Sequence, residues 1–397
     1  MSRYRPTGLS VQFKTPIWFP EERDILSDNS ISAYGHEVAV DGGYKSATIK
    51  ISAKIHEIEE WLENGLGRDV NVYSPDGIKI WEGFVNEVAG GFGSVQIKRG
   101  PLMNIANRVF VIYTPYVDIT GLDPTTGETT ETVIVEDASS QAKYGILETG
   151  VNGGTLMDDA TYCGDGCVPD NEAEELRDAY LQEYKYPETT HTIGDNAAEV
   201  SLTLNCLGYV EWLTKYIYNL ESDALIQIPY KIIQLLAADP NAIFSTDYTY
   251  ISTDAQYLLL TPEVENQNKT AKAIIDELLA QGDANDNRTT FGIYNDRKAY
   301  FSSIPDEIEY YYSVYSRDKN ILTAAGGIIQ PWYIKPGKWI KLTDLMIGRE
   351  LNAIMRLDPR NVFIENVRYD APYSLQLTGS KVSTVKQLMA KRGVAGA

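Results

Sequence analysis

The chain has 397 residues, 43% hydrophobic and 23% charged, a balance that excludes a disordered polymer and leaves room for two or three cores. Its 55 carboxylates against 35 Lys and Arg give a formal charge of −20, which argues against general binding to phosphate backbones, since that binding rests on excess cations. No apolar run approaches the roughly 18 residues of a membrane span, the opening Met1-Ser2-Arg3-Tyr4-Arg5-Pro6 has no apolar export core, and three cysteines are too few for a disulfide framework.

In chain order, Ala47, Ile49, Ile51 and Ala53 alternate with polar residues, the period of a half-buried strand. Ile55, Ile58, Trp61 and Leu62 then recur at helical spacing, and Gly65 is placed to end that helix. Val70 and Val72 restart the alternation. Ser74-Pro75-Asp76-Gly77 reads as a turn, because proline presets φ and glycine accepts a positive φ. A returning strand follows over 78–88, and Gly90-Gly91-Phe92-Gly93 is expected to turn the chain into a further strand over 95–98. The expectation is a β-barrel or sandwich with a helix across one opening.

The stretch 118–175 carries 14 carboxylates against Lys143 alone, while Lys381, Lys386, Lys391 and Arg392 make the chain's end basic. Within the acidic region 132–135 reads as a strand and 172–186 as a helix stopped by Pro187. Alternation returns through Val200, Leu202, Leu204 and Cys206, followed by helical spacing through Trp212, Leu213, Tyr216, Ile217 and Leu220. Pro229 opens another helix, and Ala271, Ile274, Ile275, Leu278 and Leu279 form an amphipathic stripe closed by Gly282. Short strands are expected over 291–294, 299–302 and 338–342, with Pro336-Gly337 as a turn.

Two distant segments echo each other. Ile80-Trp81-Glu82-Gly83-Phe84-Val85-Asn86-Glu87-Val88 with Ser94-Val95-Gln96-Ile97-Lys98-Arg99-Gly100 matches Val362-Phe363-Ile364-Glu365-Asn366-Val367-Arg368-Tyr369 with Ser374-Leu375-Gln376-Leu377-Thr378-Gly379. Both read as strand, turn and strand, a repetition that usually serves assembly.

Chemistry is sparse. His36, His56 and His191 have no partner at metal-ligand spacing, and the signatures of serine hydrolases, P-loops and dinucleotide folds are missing. Asp158, Asp159, Asp165 and Asp170 miss the calcium-loop spacing, and Cys163 with Cys167 lacks a second ligand pair for zinc. Neither a catalytic, a cofactor nor a metal site is expected. The 27 tyrosines are the stronger signal. Tyr310, Tyr311, Tyr312 and Tyr315, with Tyr248 and Tyr250, are candidates for a protein interface or a carbohydrate-stacking face, set against plain sheet-surface aromatics. Lys386, Lys391 and Arg392 complete the interface candidates.

Tyr44-Lys45-Ser46-Ala47-Thr48-Ile49, Glu57-Ile58-Glu59-Glu60-Trp61-Leu62, Asp69-Val70-Asn71-Val72-Tyr73 and Trp81-Glu82-Gly83-Phe84-Val85 resemble the opening of tailed-bacteriophage baseplate hub proteins. Asp137-Ala138-Ser139-Ser140-Gln141-Ala142-Lys143-Tyr144-Gly145 looks like a segment of phage tail-tip proteins, and 332–339, Leu357-Asp358-Pro359 and 367–379 are similar again. The resemblance implies a mainly β chain with α+β insertions: two tube-type antiparallel β-barrels plus a smaller helix-containing domain. It places the first barrel in 1–116 with 196–222, a discontinuous second in 117–195 with 305–385, a small α/β insert in 223–304 and a basic tail in 386–397. It implies a structural virion protein of the tail tip, a trimer that adapts the sixfold tube to a threefold spike or fibre and lines the DNA-ejection channel. Its partners would be copies of itself, the tail tube or distal-tail protein, and a central spike, fibre or tape-measure protein, with no sequence-specific nucleic-acid binding. A hexameric distal-tail ring and a carbohydrate-binding tail protein stay open as alternatives.

Overall fold

The computed structural model describes residues 8–19, 24–28, 31–117, 125–126, 128–157, 171–218, 226–261, 268–314, 322–346, 358–371 and 374–380. The first third contains strands β1 (Ser10–Lys14), β2 (Asp24–Asp28), β3 (Ile31–Ala39) and β4 (Gly42–Ile51), helix α1 (Ile55–Asn64), and strands β5 (Asp69–Tyr73), β6 (Lys79–Arg99) and β7 (Arg108–Val117). The short strands β8 (Thr125–Thr126), β9 (Thr130–Glu131) and β10 (Val135–Glu136) precede α2 (Ala138–Tyr144), β11 (Glu148–Met157), α3 (Glu172–Tyr184) and β12 (Thr189–Leu207). Then come β13 (Ile217–Tyr218), α4 (Ile228–Ala237), β14 (Lys269–Thr270), α5 (Ala271–Leu279), β15 (Thr289–Tyr294) and β16 (Lys298–Ser303). The last part holds β17 (Ile308–Ser313), β18 (Leu322–Ala324), β19 (Gly327–Ile328), β20 (Trp339–Thr343), β21 (Asn361–Asp370) and β22 (Ser374–Ser380). The chain is mainly β with helical insertions, as its alternating sequence pattern requires.

One sheet of 15 strands dominates, running β19-β18-β17-β20-β21-β3-β4-β12-β6-β5-β1-β2 with β15, β16 and β22 attached. Late strands thus lie beside early ones: β21 pairs antiparallel with β3, Tyr369 opposite His36 and Val367 opposite Val38. A second sheet of five strands pairs β7 parallel with β11, and α3 lays Ala173 and Leu181 on Val109 and Val111 of β7. Trp81, Trp212 and Trp339 are fully enclosed, so the indoles seed the cores.

The Ser74–Gly77 turn forms as expected, with Gly77 at φ +78° and its N–H donating to Ser74 O at 2.9 Å. Gly90–Gly93 turns the chain as expected, with Gly93 at φ +73°. β6 is one strand of 21 residues paired along β12, with register shifts near Gly93, and it doubles back there, so that Lys98 Nζ lies 2.6 Å from Glu87 and a Cβ on Gly100 would lie 2.7 Å from Asn86 O. The first glycine of the run also serves packing. A Cβ on Gly90 would lie 2.4 Å from Ile58 Cγ2 and 3.2 Å from Leu62 Cδ1, so the glycine seats α1 on the sheet. Of the two echoing segments only the second, β21–β22, is a hairpin pairing. Gly65 ends α1 with φ −82°, and what demands glycine there is the Trp61 carbonyl, 2.4 Å from where a Cβ would stand. The helical spacing after residue 212 resolves into a 3-10 turn, Tyr209–Thr214, followed by β13.

Candidate functional site: a polar face on the curled sheet

Because side chains alternate along a strand, register decides what each face of a sheet shows. Across β22, β21, β3, β4, β12 and β6 one set of positions is apolar: Leu375 and Leu377, Val367 and Tyr369, Val38, Ala47 and Ile49, Leu202 and Leu204, and Val88. These enter the core clusters. The other set is polar: Ser374, Gln376 and Thr378, then Asn366, Arg368 and Asp370, Glu37, Ser46, Thr48 and Lys50, Thr203 and Asn205, and Glu87. The sheet curls here, and a cleft of about 440 Å³ lies on this face, lined by Glu37, Ser46, Thr48, Lys50, Arg368 and Asp370. Gly35 lets β3 and β21 meet beneath it, since a Cβ there would stand 2.3 Å from Asp370 Oδ1.

The polar groups answer one another. Thr48 Oγ1 donates to Asn205 Oδ1 at 3.3 Å, Asn205 Nδ2 donates to Glu87 Oε1 at 2.7 Å, and Lys98 Nζ pairs with Glu87 at 2.6 Å. Arg368 Nε donates to Asp370 Oδ2 at 3.1 Å. With Glu37 and Lys50 these groups bring carboxylates and cations into equal number. Among the described residues the face, with Lys98 counted beside Glu87, is therefore balanced in charge, in a chain of charge −20.

On the apolar side His36 stands among Tyr34 and Tyr369, buried, its Nδ1 2.8 Å from Tyr34 Oη. Desolvation lowers its pKa to about 3, so the ring is neutral and serves the core. His56 and His191 are exposed.

Tyr310, Tyr311 and Tyr312 follow the alternation of β17. Tyr310 is buried, with its hydroxyl accepting from Lys335 N–H at 3.2 Å, and Tyr312 packs against the same small core. Tyr311 points outward beside a shallow cleft of about 640 Å³ shared with Lys341 and Arg360. Tyr315, Lys386, Lys391 and Arg392 lie outside the described residues, as do Asp158, Asp159, Asp165, Asp170, Cys163 and Cys167. Cys206 is a buried core thiol. Among the described residues no three His, Cys, Asp or Glu side chains gather as a metal ion would require, and no helix is long and apolar enough to cross a membrane.

Two clasps escaped sequence reading because their members are far apart in the chain. Arg288 bridges Asp41 and, at 2.6 Å, Glu365, tying the segment entering β15 to the β3–β4 turn and to β21. Fully buried Asn107 fixes the Asp137–Gly145 motif: its Nδ2 donates to Gly145 O at 2.8 Å and to Ser140 Oγ at 3.2 Å, while Leu147 N–H donates to its Oδ1 at 2.8 Å. Asp137 caps α2 by accepting from Ser140 N–H at 2.9 Å, and the Ser139 hydroxyl, that N–H and Lys185 together hold its pKa down at about 2.

No family profile matches the chain, and no curated protein matches it. Among solved structures the chain is similar to the crystal structure of prophage tail protein gp18 from Listeria monocytogenes EGD-e, at 9% identity over 97% of this chain and 98% of that chain, with a TM-score of 0.38.

Proposed function

We propose that this chain is a structural component of a bacteriophage tail tip, a baseplate-hub subunit whose curled sheet turns its polar face toward a channel that passes DNA. The observation that carries the reading is the neutral six-strand face. A wall facing moving DNA must be wetted yet must not gather phosphates, and binding to a polyanion grows with each excess cation. Among the described residues the cations of the face and the Lys98 beside it are equalled in number by carboxylates. The short motifs shared with hub proteins point the same way.

In this reading three copies form a ring, each supplying two barrel units with the boundaries given above, so that a threefold assembly meets the sixfold tube. Tyr311 and the basic residues Lys386, Lys391 and Arg392 contact neighbours. The tube or distal-tail protein lies on one side, and a spike, fibre or tape-measure protein on the axis. The role is one of assembly, without a catalytic step, cofactor or metal. Native mass spectrometry of isolated tail tips tests it. Three copies per ring are expected; six would replace the hub by a distal-tail ring, and absence of the chain from virions would end both readings.

A further inference from the structure

The hairpin β15–β16 is seated on the β3–β4 turn by two glycines. A Cβ on Gly43 would lie 2.3 Å from Ile293 O, and one on Gly292 would lie 2.9 Å from Gly43 N, so only glycines allow the parallel contact of β15 with β4. Above this seat is a cleft of about 420 Å³. Its floor is tyrosine. Tyr300 stacks on Tyr250 with centroids 4.4 Å and planes 15° apart, Tyr294 meets Tyr300 edge-on at 5.1 Å, and Tyr44 meets Tyr294 at 5.4 Å. Asn295 is fixed at the rim, accepting from Tyr44 Oη at 2.5 Å and donating to Lys79 O at 3.1 Å. Thr290, Ser302 and Ser303 add hydroxyls along the wall.

The opposite wall is the Pro336–Gly337 turn, which carries Lys335 and Lys338. The turn is rigidly placed: Gly337 sits at φ +79°, its N–H donates to Ile364 O at 2.9 Å, and Ile364 N–H donates to Lys338 O at 2.9 Å. Among the described residues neither lysine side chain has an ion-pair partner, and no carboxylate lines the cleft. In a chain with 20 excess negative charges, two unpaired cations over a tyrosine floor mark a place kept for an anion.

We propose that this cleft binds an acidic saccharide, independently of the role assigned to the polar face. The C–H face of a pyranose ring rests on Tyr294 and Tyr300, its hydroxyls meet Asn295, Thr290 and Ser302, and its carboxylate meets Lys335 and Lys338. The edge-on tyrosine pair makes a stepped floor that suits a puckered ring better than a flat base. The hydroxyl-rich wall favours a sugar over an acidic peptide.

The test is titration of the intact chain with tri-galacturonate, read by calorimetry and by the tyrosine ring resonances. Saturable binding is expected, weakened about tenfold or more in the K335E/K338E double variant and by a similar factor for neutral galactotriose, as loss of about 1.4 kcal/mol implies. Both lysine side chains reach solvent, so an unchanged melting temperature is expected; K335Q/K338Q supplies the same comparison should the reversal disturb folding. Absence of saturable binding, or equal affinity in the charge variants, overturns the proposal. So does hexaglutamate binding as tightly as the sugar and unaffected by Tyr300→Leu, which would make the cleft a peptide site.

Discussion

His36 is a base held where it cannot carry charge. Its folded pKa is depressed from 6.5 to about 3 by desolvation, so below pH 6.5 the unfolded chain binds a proton that the folded chain refuses. The contribution is fully present above pH 6.5 and is lost as pH falls toward 3, at about 1.4 kcal/mol per pH unit. Buried Glu82 and Asp239, whose pKa values are raised by desolvation, act with the opposite sign, so the comparison of interest is between variants. Urea midpoints of His36→Gln should fall less steeply between pH 6.5 and 4 than those of the parent; parallel slopes would show that the ring gains its proton without cost. Asn107→Ala should cost about 3 kcal/mol in the same assay, because it strands Leu147 N–H and Gly145 O in the core. The sequence offers the solitary histidine but not its burial, and it offers the Asp137–Gly145 motif but neither its cap nor the distant asparagine that fixes it.

Helix α1 and the long strand β6 are joined by a residue whose meaning is ambiguous in sequence. Glycine marks turns because it accepts positive φ, and it marks close packing because it lacks a Cβ. Gly77 is the first case and Gly90 the second. Gly90→Val should therefore destabilise by about 1–3 kcal/mol through overpacking against Ile58, whereas Gly93→Ala, with open space around it but φ at +73°, should cost about 1 kcal/mol from backbone strain alone. Equal losses at the two positions would contradict this division. Alternation and helical spacing were legible for most strands and for α1, α3, α4 and α5, because each reflects one element meeting one core. The turn was legible in the glycine run, but the seat that Gly90 gives α1 depends on a helix packed against it, and local pattern cannot supply that.

For the whole molecule, the sequence carried the alternating rows, yet a face made from six strands emerges only when register aligns residues 37, 48, 87, 205 and 368. Neutrality is its testable property. Adding cations with T48K, T203K and Q376K should create binding to a short DNA duplex, with log affinity falling by about 0.9 per added phosphate contact for each tenfold rise in salt. Tight binding by the parent chain, read by fluorescence anisotropy at low salt, would remove the case for a non-adhesive wall. The placement of β21 beside β3 also has a consequence for biosynthesis. A ribosome releases β3 early but delivers β21 only near the end, roughly 15 to 60 seconds later at ordinary translation rates. During that interval the β3 edge has no native neighbour on that side, so the nascent chain presents a raw hydrogen-bonding rim to every other polypeptide nearby.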